Sequence, residues 1–240
     1  MLELKPERFD LGEYHTQAIA VSGRQLLGDQ SGALVWPAQR ALVVADMHCE
    51  KASHFAGRGQ LLPPYDTRQT LMKLAAVVDR HEPELIVSLG DGFHDAGGAG
   101  RMHADDLNIL RIIQEGRRWV WVTGNHDPEI AVALGGEIAS ALELDGLVLR
   151  HEPRSGRVTH EIAGHLHPAA KISAYGHALR RPCFIGNGRR LILPAFGALT
   201  GGLNVLDTAF EPLFGNDGFA VWMLGQEGLY PVSTRQLVAD

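Results

Sequence analysis

Short apolar runs that break at a glycine, an acid or a histidine set the pattern of this chain. Ala41-Leu-Val-Val-Ala45 runs into Asp46-Met-His48, Leu85-Ile-Val-Ser-Leu89 into Gly90-Asp91, and Trp119-Val-Trp-Val-Thr123 into Gly124-Asn-His-Asp127. Further on, Leu147-Val-Leu-Arg150 delivers His151, and Thr159-His-Glu-Ile-Ala163 runs into Gly164-His-Leu-His167. Short apolar runs bounded by turn residues predict strands buried on both faces. Open α/β sheets bind ligands beyond the carboxyl ends of their strands, where side chains leave the core. Each of these endings is therefore a candidate functional position.

Around these strands the pattern changes twice. Residues 1 to 17 show no clean period, and the runs at Ala18–Ser22, Gln25–Leu27 and Ala33–Trp36, separated by Gly23, Gly28 and Gly32, predict a meander at a sheet edge. Glu50 to Gln60 is polar and glycine-spaced and predicts a loop ending at Pro63-Pro64. Asp66 followed by Gln69 has the form of a capping box, with Asp66 as N-cap of a helix to about His81 whose inner face carries Leu71, Leu74, Ala75 and Val78. A second helix is expected from Ala104 to Glu115, with Leu107, Leu110 and Ile112 or Ile113 turned inward and Gly116 as its stop, and a third, short one from Pro128 to Leu134. From residue 142 onward the pattern predicts strands at 142–144, 147–151, 159–163, 170–174, 182–186, 190–193, 219–224 and 229–232. Alternating strands and helices followed by a run of strands imply an α/β chain of α+β type, with two sheets packed together and helices outside the first.

Composition adds bounds. At 240 residues and 45% apolar content the chain can bury one sizeable core, and a single domain over residues 1–240 is expected. No apolar run approaches the roughly 20 residues that span a bilayer. The start Met1-Leu-Glu-Leu-Lys-Pro6 lacks a basic segment leading into an apolar one, so a cytoplasmic protein without membrane contact is expected. Cys49 and Cys183 are too few for a disulfide framework, and Cys49 is expected to be a small buried hydrophobe. The net charge of −6 argues against coating nucleic acid by bulk charge, yet residues 150–190 hold eight Lys or Arg against two acids. That basic stretch also contains His151, His165 and His167. No Gly-x-x-x-x-Gly-Lys-Ser/Thr, no Gly-x-Gly-x-x-Gly after a strand and no Gly-x-Ser-x-Gly occurs, which removes most support for nucleotide-dependent transfer and serine hydrolysis.

What remains is a set of donors. Asp46, His48, Asp91, Asn125, His151, His165 and His167 offer carboxylate, amide and imidazole groups, more than one ion needs, and so point to two. Mixed nitrogen and oxygen donors suit Mn, Fe, Zn or Co. Two ions about 3.5–4 Å apart suit in-line attack at phosphorus, so phosphoester hydrolysis is the natural use.

Taken singly these elements are common. In this order, Asp-x-His, Gly-Asp, Gly-Asn-His-Asp, His and Gly-His-x-His over roughly residues 41 to 200, they resemble the calcineurin-like, dinuclear metallophosphoesterase superfamily. The resemblance implies an αββα sandwich of two mixed sheets flanked by helices. It implies Asp46, His48 and His167 on one divalent ion, Asn125, His151 and His165 on the other, and Asp91 between them, with manganese the first expectation. His126 would serve the leaving oxygen or the phosphoryl charge, Asp127 would orient its ring, and His94 would face the phosphodiester. Gly90-Asp-Gly-Phe-His-Asp95 lacks the arginine of the protein phosphatases and is similar to the DNA-repair nuclease branch. Pro194-Ala-Phe-Gly-Ala-Leu-Thr-Gly-Gly202 is similar to the ligase-associated DNA damage response endonuclease PdeM family, which implies a phosphodiester substrate such as single-stranded or damaged DNA and a functional link to DNA ligase and helicase. The alternative is a phosphomonoesterase or small-nucleotide phosphatase with the same ions. A helical His-Asp phosphohydrolase fits poorly because His94-Asp95 and His126-Asp127 follow apolar strands, and a scaffold that has lost its metals fits poorly because every donor is present.

Overall fold

The computed structural model describes residues 16–126, 134–174 and 177–240. Its first sheet contains β1 (Gln17–Val21), β2 (Arg24–Gly28), β3 (Leu34–Trp36), β4 (Ala41–Ala45), β5 (Leu85–Leu89), β6 (Arg118–Val122) and β7 (Glu137–Ala139), in that spatial order. The meander β1 to β4 is antiparallel, and β4 to β7 are parallel. The second sheet is built from β8 (Leu142–Leu144), β9 (Leu147–Arg150), β10 (Glu161–Ala163), β11 (Pro168–Ala174), β12 (His177–Gly186), β13 (Arg190–Ile192), β14 (Leu203–Asn204), β15 (Ala220–Leu224) and β16 (Leu229–Val232). It is mixed as well, with β9 and β10 parallel.

Side-chain alternation along the strands explains the layering. On β4, Ala41, Val43 and Ala45 enter the core between the sheets, where they meet Leu149, Ile162, Phe184 and Leu191. Leu42 and Val44 point the other way, into a second core under α2 (Asp66–His81) and α4 (Ala104–Gln114), against Leu71, Leu74, Val78, Leu110 and Ile113. The outer face of the second sheet buries Cys183, Ile185 and Ile192 against Phe210, Leu213 and Phe214, the last two on the short helix α5 (Glu211–Phe214). The two mixed sheets and flanking helices match the expected sandwich. Strand β4 is buried on both faces because it lies between two such cores, which is why its sequence shows no alternation.

Several local expectations are corrected. The segment predicted as a loop from Glu50 forms a helix, α1 (Lys51–Ala56), which packs against α3 (Gly98–Arg101), with Arg101 Nε donating to Ser53 Oγ at 3.0 Å. Asp66 is not an N-cap: Tyr65 holds that place without a side-chain bond, and the Asp66 carboxylate accepts the Ala52 N–H at 3.1 Å. A tertiary partner, the unpaired start of α1, has taken the carboxylate from its own helix. The strand expected from Thr159 begins at Glu161, while β12 is longer than 182–186 and pairs with β11 from Ala174↔His177 onward. Ile112 is exposed and Ile113 buried, which settles the inner face of α4. The helix expected at 128–134 lies almost wholly outside the described residues. Both cysteines are buried, and neither forms a disulfide.

Candidate metal centre

The parallel strands β4, β5 and β6 of one sheet and β9 and β10 of the other release their next residues at one shared edge. Beyond β4 and β5 the backbone stays laced together: the N–H groups of His48 and Cys49 donate to Asp91 and Gly92 at 2.8 and 2.9 Å, and His94 donates back to Cys49 at 2.9 Å. The second sheet repeats this, with Gly164 N–H donating to His151 at 3.0 Å. Leu166 N–H donates to the Gly164 carbonyl at 2.9 Å, closing a three-residue turn with His165 at φ 70°. Asp46, His48, Asp91 and His167 also sit at positive φ, of 53°, 43°, 45° and 45°. Such backbone costs roughly 1–2 kcal/mol per non-glycine residue, and its concentration on donor residues is the mark of a functional site held by its surroundings.

Two donor groups result. Asp46, His48 and His167 each offer an atom within 4.8 Å of the others, and so do Asp91, His151 and His165. The groups adjoin: the Asp91 carboxylate lies 3.5 Å from His151 Nε2 and 3.8 Å from His48 Nε2, and so faces both. Asp46 Oδ2 accepts the His165 N–H at 2.9 Å, while its Oδ1, 3.4 Å from His167 Nε2, is buried without a hydrogen-bond partner. A buried carboxylate oxygen left unpaired among imidazoles fits a cation, because protein donors would otherwise have to satisfy it. His151 Nδ1 lies 3.1 Å from the Leu89 carbonyl, which turns Nε2 toward Asp91 and toward His165 Nδ1, 3.1 Å away.

The electrostatics favour neutral imidazoles at His48 and His165. Burial, then the nearby His167, His126 and His94 rings, push His48 down to about 2. Burial and His151 lower His165. Burial also acts on His167, but the Asp46 carboxylate beside it and the charge of Asp91 outweigh that and raise it. The Nε2 atoms of His48 and His167 lie only 3.2 Å apart, so at most one proton stands between them.

Close approach requires glycine at two places. A Cβ on Gly90, at φ 68°, would stand 2.4 Å from the His151 ring, and one on Gly164 would stand 2.5 Å from Asp46 Oδ2.

The other expected residues fall around this centre. His126 is exposed; its N–H donates to Asp91 Oδ1 at 2.9 Å, and its Nδ1 lies 2.9 Å from the His94 carbonyl, leaving Nε2 without a hydrogen-bond partner among the described residues. The His94 ring stacks on the His126 ring at 5.2 Å, and burial, then Lys51, lower it to about 4. Asn125 is exposed on the same loop, and Asp127 lies outside the described residues. Sequence reading passed over His54, which α1 brings to 4.8 Å from the His94 ring, with Nδ1 2.6 Å from Asp95. Only its spacing from His48 could have hinted at this, and a loop was expected there.

The basic stretch does not face the centre as a whole. Arg190 is buried against Glu161 at 2.6 Å, and Arg157 and Arg189 share Asp217. Arg180 and Arg181 line a cavity that begins at His167.

Comparison with known proteins agrees with this geometry. A family model described as calcineurin-like phosphoesterase matches residues 39–164. The chain is similar to the crystal structure of Pseudomonas putida nuclease MPE, with 27% identity and a TM-score of 0.73 over 91% of this chain and all of that one. It also matches YfcE, a phosphoesterase from E. coli, at 15% identity and TM-score 0.37, over 83% of this chain and 96% of that one. A protein of unknown function from Aquifex aeolicus matches at 18% identity and TM-score 0.39, over 53% of this chain and 78% of that one. No curated protein sequence matches. Among the described residues, no helix is long and apolar enough to cross a membrane.

Proposed function

Because the chain belongs to the calcineurin-like phosphoesterase family, we propose that it is a metal-dependent phosphodiesterase that cuts single-stranded or damaged DNA in repair, working beside a DNA ligase and helicase. The observation that carries the metal chemistry is the meeting of two His and Asp donor groups at one edge, with Asp91 facing both. The likeness to a nuclease over nearly the whole chain supports the choice of nucleic acid.

In this reading Asp46, His48 and His167 would hold one divalent ion, Asn125, His151 and His165 would hold a second, and Asp91 would serve both, with manganese the favoured metal. When bound, two such ions would supply positive charge for the phosphoryl oxygens and would lower the pKa of a water. The chain's own residues do the rest. Water oxygen bonds to phosphorus as the bond to the leaving oxygen breaks, His126 Nε2 delivers a proton to that oxygen, and the proton that the water loses passes to solvent, from which His126 is reprotonated. The His94 carbonyl fixes the His126 ring from its Nδ1 side at 2.9 Å, so that Nε2 can face substrate. Asp127, next in sequence, assists that orientation, and the His94 ring contacts the phosphodiester.

The test is a side-by-side assay of metal-loaded protein on bis-p-nitrophenyl phosphate, p-nitrophenyl phosphate, and single-stranded and duplex oligonucleotides. Diester hydrolysis with internal cleavage of the single strand is expected. Faster hydrolysis of the monoester than the diester at equal metal loading would replace the nuclease by a phosphomonoesterase or small-nucleotide phosphatase.

A further inference from the structure

We infer that the cavity beginning at His167 is a subsite for the phosphate next to the scissile one on a nucleic acid strand, with Arg180 as its anion-binding residue. This rests on the nuclease reading of the metal centre and names what makes a strand, rather than any diester, its substrate.

The cavity holds about 140 Å³ between His167, Arg180, Arg181 and the Thr200-Gly201-Gly202 segment. That is roughly ten times what one water needs, ample for a phosphate group. Its position relative to the metal donors is fixed through the loop that forms its floor. Gly197 N–H donates to the Asp46 carbonyl at 3.2 Å, Thr200 Oγ1 donates to the Gly197 carbonyl at 2.9 Å, and Leu203 N–H donates to the His167 carbonyl at 3.1 Å. A ligand in the cavity is thus in register with a ligand at the metals.

Arg180 is set in place before any ligand arrives. Its Nη2 donates to the Gly202 carbonyl at 2.6 Å and its Nε to Asp240 Oδ1 at 3.1 Å. A guanidinium carries five N–H donors in a planar fork that matches phosphate, so donors remain for an incoming anion. Asp240 is exposed, and such an exposed carboxylate pair is a weak competitor for a bidentate phosphate contact. Arg181 makes no side-chain hydrogen bond or ion pair among the described residues and adds charge at the cavity wall. A diester with no flanking phosphate ends at the metals and leaves this cavity unfilled. A strand fills it.

The experiment compares wild type, Arg180→Ala and Arg157→Ala, the last removing an arginine of a separate cavity that is paired with Asp217. Hydrolysis of bis-p-nitrophenyl phosphate and of a single-stranded oligonucleotide is measured, together with the salt dependence of oligonucleotide binding by fluorescence anisotropy in chelator. Arg180→Ala should lower kcat/KM on the oligonucleotide by roughly 10–100-fold, the usual worth of a charged hydrogen bond, and the loss on the small diester should be at least about fivefold less. The slope of log affinity against log salt should fall by about 0.7, one single-strand phosphate contact. Arg157→Ala should match wild type in both. Equal losses on the two substrates would make Arg180 a support for the loop and His167, and an unchanged salt slope would take it off the strand's path; either result overturns the subsite. A wild type that hydrolyses the small diester but no oligonucleotide would overturn the nuclease reading itself and the subsite with it.

Discussion

Replacing Gly90 by alanine should disable the centre without touching a donor. Two costs can be separated. An alanine at φ 68° carries the left-handed backbone penalty, roughly 1–2 kcal/mol. Its Cβ would also lie 2.4 Å from His151 Cγ and Nδ1, where ordinary contact begins near 3.4 Å, so the ring must retreat by 3.4 − 2.4, about 1 Å. His151 is buried and already tied to Leu89 at 3.1 Å, so the retreat displaces its Nε2 from the Asp91 side. A misplacement of about 1 Å is worth on the order of 10²-fold in rate. Gly116 provides the control, because at φ 71° it has nothing within 4 Å of its ideal Cβ and incurs the backbone cost alone. Both variants should lose thermal stability, Gly116→Ala by about 2–8 °C for a chain of this size. Only Gly90→Ala should lose bound metal and about 10²-fold of bis-p-nitrophenyl phosphate hydrolysis. Metal content and turnover in Gly90→Ala equal to those of Gly116→Ala would refute the close-packing argument.

Three further outcomes are expected. His126→Ala should keep its metal content while losing about 10²–10⁴ in rate, with a smaller loss on good leaving groups that need little protonation; release of one metal equivalent would instead make His126 a ligand. His94→Ala should impair diester hydrolysis more than monoester hydrolysis, and equal losses would remove its ring from the diester path. Asp29 tests the fold rather than the site: burial raises its pKa, but hydrogen bonds from His81 and Ser31 and the Arg80 charge outweigh that and bring it to about 2. A lowered carboxylate pKa stabilises the fold above its unfolded value of about 4 and is lost as pH falls toward 2, so wild type should lose roughly 2 kcal/mol more than Asp29→Asn between pH 5 and pH 2. Parallel stability curves for the two proteins would contradict this.

The donors were legible because strand ends are places where the core stops dictating residue type. Asp46, Asp91 and His151 each break an apolar run, and nothing about packing calls for an acid or imidazole there. The two-sheet order was legible for the same reason, since buried runs such as Val43-Val-Ala45 announce their own depth. Local helix signals were weaker guides. Asp66 has the form of a cap, yet its carboxylate serves Ala52 on another helix, a tertiary choice that no local pattern contains. The α1 helix was hidden by its glycine-spaced surroundings, although its Ser53 hydroxyl and Glu50 make the bonds that anchor it. The charge count over residues 150–190 overstated the basic surface, because Arg190 is buried with Glu161 and others are paired on the exterior. Charge position depends on which strand face an arginine takes, and β12 was expected to begin too late for Arg180 and Arg181 to be placed at all.

The most direct measurement is a metal titration of exhaustively chelated protein, following bound manganese and bis-p-nitrophenyl phosphate hydrolysis together in wild type and Asp91→Asn. In wild type, hydrolysis should be absent without metal and should rise to a plateau at two ions per chain, while Asp91→Asn should stay folded, bind less and remain inactive. Full turnover without metal, or a plateau reached at one ion with Asp91→Asn equally active, would contradict a paired-ion phosphodiesterase.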